Sequence, residues 1–383
     1  MVRKRIIFLE AVQNLGGARI STLELAERLS ADFEVLIVDF YGCCRPFLDL
    51  AKAKKLGVEV VVPRSEPYLV RRNSNNPIVS LTGLFSFLIH WIKLRSRIKD
   101  IIDDFDPDFL IVNNVKTLST LGIRKRKYKT VYFSRGWFLK NTIPRFNRVI
   151  IKKMVDRFAC VSEATKHAIF SGGFAKLEDI YVVHNAIDES SLPFDVAPVK
   201  NKSLLIMQAG GFLFEKGQHI SVEIGIELKR RGIEFQLLLA GVVYKGNASK
   251  RYHAKIVDLI NDNDLNSNII IITDQNNVLP YFRACDIIIH PSATEGLPRV
   301  LMEAMILKKP VIANAVGGVI DYILSGYTGY ITRFNNVDDY VDYILDLAKD
   351  REKYNFISEN AYNLIRTSFT EVEQIKQFKK LLL

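Results

Sequence analysis

Cysteine is scarce in this 383-residue chain, with four, at Cys43, Cys44, Cys160 and Cys285. Two of them are adjacent and none has metal-site spacing, so neither a disulfide framework nor a zinc module is indicated. A reducing cytosol is the expected compartment. The six histidines are scattered, with no H-x-x-x-H pair. Low-complexity tracts, solenoid-length repeats and long runs of like charge are missing too, which excludes a disordered tail and a repeat architecture. No G-x-G-x-x-G occurs, so a dinucleotide fingerprint is not supported. No stretch sets aromatics beside basic residues on a recognisable nucleic-acid module, so no nucleic-acid partner is expected. The opening MVRKRIIFLEAV is basic, but Glu10 breaks its short apolar run and no small-residue cleavage site follows. It reads as a first strand rather than a signal peptide.

What is present is apolar bulk and unevenly placed charge. Apolar residues make up 48% of the chain, enough for large cores, and the length calls for two domains. The net charge of +11 lies in one half: residues 1–190 hold 31 Lys and Arg against 20 Asp and Glu, while residues 191–383 hold 22 of each. A basic half faces an anionic partner such as a lipid surface or a phosphorylated substrate, or simply keeps the protein soluble. The segment Ile78–Ile92 is strongly apolar, with Arg71 and Arg72 before it and Lys93, Arg95, Arg97 and Lys99 after it. It falls short of the ~18 residues that suggest a membrane span. It has the ingredients of a helix lying in a membrane interface, with Trp91 near the headgroups, and equally those of a buried helix. The basic cluster 124–129 adds to the membrane reading.

Short apolar runs alternate with amphipathic stretches along the whole chain. Strands are expected at Arg5–Leu9, Phe33–Val38, Val58–Val62, Phe109–Val112, Thr130–Phe133, Phe158–Val161 and Ile180–Val183. The second half offers Leu204–Ala209, Phe235–Ala240, Ile269–Ile272, Ile287–His290, Val311–Ala313 and Tyr330–Thr332. Helical patterns such as Arg19–Leu29, Ser162–Phe170 and Gln218–Arg231 fill the gaps. This alternation means parallel sheets covered by helices. The aperiodic Ala186–Ser203, with Pro193 and Pro198, reads as a linker. The expected fold is α/β: two Rossmann-like doubly wound domains facing a cleft. They take residues 1–190 and 191–370, and residues 371–383 form an amphipathic segment able to return to the first domain.

Gly16-Gly17, Gly210-Gly211 and Gly317-Gly318 each stand just past a strand and before a helix. Glycine there lets backbone N–H groups approach an anion, and a helix N-terminus adds partial positive charge. The most specific stretch runs from His290 to Met305, where Glu295 lies in a loop and Glu303 on the helix that follows Pro298. Carboxylates so placed can accept hydrogen bonds from sugar hydroxyls at two parts of an elongated ligand. Asp104-Phe-Asp106 and Asp262-Asn-Asp264 are formally D-x-D, but the first precedes a strand and the second reads as a polar turn. Metal independence is therefore expected, with no cofactor.

The stretch from His290 to Met305 resembles the E-x7-E region of GT-B glycosyltransferases, in particular the large retaining family 4. Leu15-Gly-Gly-Ala18 resembles the family's N-terminal glycine loop, Val161-Ser162-Glu163 its V-S-E segment, and His184 to Asp188 its N-G-I/V-D signature. Glu215-Lys216-Gly217 resembles its K-G, and Pro310–Ala313 with Val316–Asp321 its P-V-I-a…v-G-G-i-p-E. The resemblance implies that Glu295 contacts the donor sugar, Glu303 the ribose, and Lys216 the diphosphate. It also implies that Gly16, Gly17, Gly296 and Leu297 offer backbone N–H groups. Gly211 stands where the family has arginine, and Val131–Gly136 lacks the family's histidine, leaving Arg135 as the candidate substitute cation.

The function so implied is retaining transfer of a hexose-type sugar from a nucleotide-sugar, UDP favoured and GDP possible. The acceptor would be a lipid-linked or cell-surface polysaccharide or lipopolysaccharide, and the enzyme would sit peripherally on the inner face of the cytoplasmic membrane. A nucleotide-sugar epimerase on the same fold and a non-catalytic nucleotide-sugar-binding protein stay open as alternatives.

Overall fold

The structure, a computed structural model, describes residues 3–61, 77–122, 126–136, 143–189, 203–273 and 279–383, with the backbone alone at 77–87 and 279. Arg71, Arg72, the first two residues of the 124–129 cluster and most of the linker lie outside the described residues. The chain forms two compact units, Met1–His184 with Gln374–Leu383, and Asn185–Glu373.

The first unit carries strands β1 (Arg5–Glu10), β2 (Glu34–Asp39), β3 (Gly57–Val60), β4 (Phe109–Val112), β5 (Lys129–Ser134), β6 (Arg157–Cys160) and β7 (Ile180–Val182). Between them run helices α1 (Gly17–Leu29), α2 (Arg45–Ala53), α3 (Pro77–Phe105), α4 (Val115–Ser119), α5 (Arg145–Met154) and α6 (Glu163–Ser171). The second unit carries β8 (Leu204–Ala209), β9 (Phe235–Ala240), β10 (Ile269–Ile272), β11 (Ile287–His290), β12 (Val311–Asn314) and β13 (Tyr330–Thr332). Its helices are α7 (Gln218–Arg230), α8 (Asn247–Asp262), α9 (Leu279–Ala284), α10 (Arg299–Ile306), α11 (Val337–Lys349) and α12 (Arg351–Ser368). The last helix, α13 (Glu371–Leu382), ends the chain.

Both sheets are parallel throughout, in the orders β3-β2-β1-β4-β5-β6-β7 and β10-β9-β8-β11-β12-β13. Strands covered on both faces read as apolar runs, as FLIV in β4 and the three isoleucines of β11 do, each wholly buried. All thirteen expected strands form within a residue or two. Strand order reverses direction between β1 and β4, and again between β8 and β11. In open α/β sheets such switch points open a crevice at the strands' carboxyl ends.

Local chemistry starts the helices. The Ser162 hydroxyl accepts from the Thr165 N–H and caps α6, so the V-S-E segment is a capping signal. Asn114, Asn336 and Asp350 cap α4, α11 and α12 in the same way. Pro298 stands one position before α10 rather than inside its first turn, with extended backbone that ends the preceding loop. Most of α13 packs on the first unit. Gln374 donates to the His184 carbonyl at 2.6 Å, Lys379 pairs with Asp32 at 2.7 Å, and Phe378 lies 6.4 Å from Phe133 between ring centroids.

Candidate active site

Three loops of the second unit converge at the carboxyl ends of β8, β11 and β12. The β8 loop carries Gly210, Gly211 and a short 3₁₀ turn, Phe214–Lys216. It is fastened to the β11 loop because the Glu215 carbonyl accepts from the Ala293 N–H at 2.8 Å and the Ser292 hydroxyl at 3.0 Å. Gly217 closes the turn at φ +73°, and a Cβ there would stand 2.1 Å from the Pro291 carbonyl oxygen. Only glycine meets both conditions. The β12 loop presses on the same segment from the other side. Gly318 N–H donates to the Gly296 carbonyl at 2.8 Å, and a Cβ on Gly317, at φ +51°, would lie 1.8 Å from the Glu295 carbonyl oxygen. Asn185 fixes the Leu297 carbonyl at 2.9 Å, and the buried Tyr322 hydroxyl fixes that of Pro298 at 3.0 Å.

These clamps bring Lys216 and Glu295 together. Lys216 Nζ donates to Glu295 Oε1 at 2.7 Å, and His290 Nε2 meets the same oxygen at 2.8 Å. The glutamate side chain is 10% exposed and the lysine 27%. Burial pushes the Glu295 carboxyl up, but the Lys216 ammonium and the His290 hydrogen bond outweigh it and hold it down at about 2. Beside the pair, no described residue accepts from the Gly296 or Leu297 backbone N–H. A buried carboxylate next to a partly exposed ammonium and backbone donors can hold a sugar hydroxyl and a phosphate side by side.

The other expected residues distribute as follows. Glu303 lies on α10 with Arg299 Nε 3.6 Å away. Gly211 lies under Tyr244, for a Cβ there would meet the tyrosine ring at 2.6 Å and its hydroxyl at 2.8 Å. The space beside residue 211 is thus filled from the β9 loop. Gly16 and Gly17 begin α1 in the first unit, and nothing lies within 4 Å of where a Cβ on Gly16 would stand. Arg135, also in the first unit, lies past β5 with its guanidinium 4.1 Å from the Phe133 ring centre. Asp104 is in the last turns of α3 and Asp106 follows that helix, before β4 and so away from the strands' carboxyl ends. Asp262 ends α8, and Asp264 sits in the turn after it at φ +50°. Among the described residues no group of three or more metal-ligating side chains occurs.

Two family models match the chain: Glycosyl transferases group 1 over residues 193–364, and Glycosyltransferase Family 4 over residues 15–191. The chain belongs to the glycosyltransferases. Anabaena HepE, solved with UDP-glucose, matches with a TM-score of 0.82 at 19% identity, covering 99% of each chain, and the shared fold is GT-B. An uncharacterized glycosyltransferase of Methanocaldococcus jannaschii is 28% identical over 60% of this chain. The capsular polysaccharide biosynthesis glycosyltransferase CapM of Staphylococcus aureus is 24% identical over 55%. The matched segments span 61% and 57% of those two proteins' own lengths.

Two residues of this glycosyltransferase escaped the sequence reading. His290 was visible only as the last residue of a strand, and its bond to Glu295 needs the β11 loop to fold back. Tyr244 sits 33 residues beyond Gly211, and only the pairing of β8 with β9 brings the loops together. The unfilled side of Gly211 was the one available signal for it.

Proposed function

We propose that the enzyme is a retaining hexosyltransferase that uses a UDP-sugar to extend a lipid-linked or cell-surface polysaccharide at an anionic membrane. The Lys216–Glu295 pair at the switch point carries this reading. As transfer proceeds, the bond from the sugar's anomeric carbon to the diphosphate breaks and its electron pair goes to a phosphate oxygen. Lys216 is the cation placed to meet that growing charge. Glu295 accepts from a sugar hydroxyl and Glu303 from the ribose, which needs no metal ion. The choice of UDP is supported by HepE, solved with UDP and with UDP-glucose, and the acceptor class by the name of CapM.

The membrane partner is supported by exposed apolar and basic side chains on two helices of the first unit. On α3, Leu88, Ile89 and Ile92 are exposed beside Lys93, while Leu94 and Ile98 belong to the core. On α5, Phe146 is 74% exposed and Val149 is exposed as well, alongside Arg145, Lys152 and Lys153. Among the described residues no helix is long and apolar enough to cross a membrane. Each basic residue near an anionic surface contributes about 1 kcal/mol.

A thermal-shift screen with UDP, GDP, ADP and their sugars tests the donor, because a ligand bound only by the native state raises its melting temperature. UDP is expected to stabilise most, and equal shifts from all three bases would reject the assignment. Turnover with the stabilising sugar should survive excess EDTA and yield a product of unchanged anomeric configuration. Reversal of Arg145, Lys152 and Lys153 to Glu should lower sedimentation with anionic vesicles while sparing UDP binding.

A further inference from the structure

Glu295 Oε1 receives two hydrogen bonds from groups of different mobility. Lys216 sits on a short 3₁₀ turn, and its flexible stem ends in a partly exposed ammonium. His290 ends β11, paired in register with β12, and is 2% exposed. An anion arriving at the site can draw the lysine away but cannot reach the imidazole. The other ring nitrogen is informative. His290 Nδ1 is buried and has no hydrogen-bond partner among the described residues. Since a carboxylate only accepts, Nε2 must carry the proton shared with Glu295. The neutral ring then leaves a bare lone pair at Nδ1, a smaller cost than burying a second N–H without an acceptor. The imidazole therefore has one polar duty, toward Glu295. An apolar residue would fill a strand end inside the sheet at less cost.

We propose that His290 is a positioning residue that holds Glu295 ionised and aimed at the donor sugar after Lys216 moves to the donor's diphosphate. This rests on the reading that Lys216 binds the diphosphate. In the resting site Lys216 and His290 share the carboxylate. With donor bound, His290 alone keeps it from rotating or taking up a proton. The histidine touches no substrate, so its contribution belongs to the step after donor binding.

The test compares His290→Leu with His290→Gln, whose amide can donate to the same oxygen. Turnover is followed with the sugar nucleotide that supports it, and affinity with UDP alone. His290→Leu should lower kcat at least tenfold with UDP affinity within twofold of the parent, and His290→Gln should recover most of the loss. A kcat within twofold of the parent in His290→Leu, or equal losses in both variants, overturns the proposal. Should either variant fail to fold, ¹⁵N NMR of the wild-type imidazole decides. The Nε2–H tautomer is expected with and without UDP, and a proton found on Nδ1 with Nε2 bare overturns it. Lys216→Ala separates the underlying reading from this one. Unchanged UDP affinity there rejects the lysine–diphosphate contact, whatever the His290 variants show.

Discussion

Each unit sets a carboxylate at its switch point, one at the end of the strand before the reversal and the other in the loop past the strand after it, and the two are used differently. In the first unit Glu10, at the end of β1, faces Asn113, just past β4, across the switch point. Asn113 Nδ2 donates to both its oxygens at 2.6 and 2.7 Å, Thr22 donates at 3.2 Å, and Arg19 on α1 closes an ion pair. Glu10 is 2% exposed and engaged on both oxygens. In the second unit the bonds from Lys216 and His290 both fall on Oε1 of Glu295. In the first unit side chains hold both carboxylate oxygens, and in the second both bonds fall on one oxygen, one of them from an ammonium that a ligand can redirect. A switch point marks where a ligand can sit, and the polar groups left exchangeable there decide whether one does.

The sharpest way to break this comparison is to remove the exchangeable cation. Lys216→Ala should lower turnover by about 10²–10³-fold, the range seen when a preorganised electrostatic donor is lost from a transition state. It should also change acid stability. Glu295 now sits below its usual 4.5, at about 2, so its ionised form contributes stability that is full above about pH 4.5 and lost as pH falls toward 2. Without Lys216 the folded value rises toward 4.5 or above, since burial then acts with less opposition, and that acid-range loss should shrink or vanish. Chemical denaturation from pH 7 to pH 3 reads this directly. A parental turnover or an unchanged pH profile would show that Lys216 neither meets the leaving charge nor holds the Glu295 carboxyl down.

The fully engaged Glu10 predicts the opposite pattern. Arg19→Ala leaves a buried carboxylate without its cation, and breaking such a pair costs about 3 kcal/mol. Glu10 keeps its bonds from Asn113 and Thr22, which limits the loss. The melting temperature should fall clearly, while stabilisation by UDP stays as in the parent, because the loops proposed to bind the donor belong to the other unit. A variant with parental stability would mean that the Glu10 cluster is not structural.

The strands were legible because continuous β-branched runs such as Ile287–Ile289 have no other economical burial than a doubly covered parallel sheet. Glu295 and Lys216 were legible because each sits in a short segment with its own signature. Their contact was not, because 79 residues separate them and the bond depends on β8 lying beside β11. His290 and Tyr244 were hidden for the same reason, since their roles are set by loops meeting across strands. Glu10 looked like an interruption of an apolar run, and its partners Arg19 and Asn113 gave no sign of a common target. Sequence patterns report what a residue needs locally, and the crevice is made of non-local pairings.

The smallest effects come from the glycine pairs, which looked alike in sequence. Gly317 has φ +51° and its added Cβ would strike the Glu295 carbonyl oxygen, so Gly317→Ala must strain the backbone and push the β11 loop. A loss of about 2 kcal/mol is expected, with weaker UDP stabilisation, because the loop that moves carries Glu295. Gly16 has φ −135° and open space where a Cβ would be. An L-residue adopts that conformation freely, and Gly16→Ala should leave stability within about 0.5 kcal/mol of the parent. Any fall in turnover for that variant is then a fall in ligand approach, since nothing in the fold resists the methyl group. Parallel melting curves and turnover assays of the two variants separate the roles. Equal destabilisation would erase the distinction between the loops, whereas a stable Gly16→Ala with reduced turnover would assign the α1 turn a role in ligand approach rather than in folding.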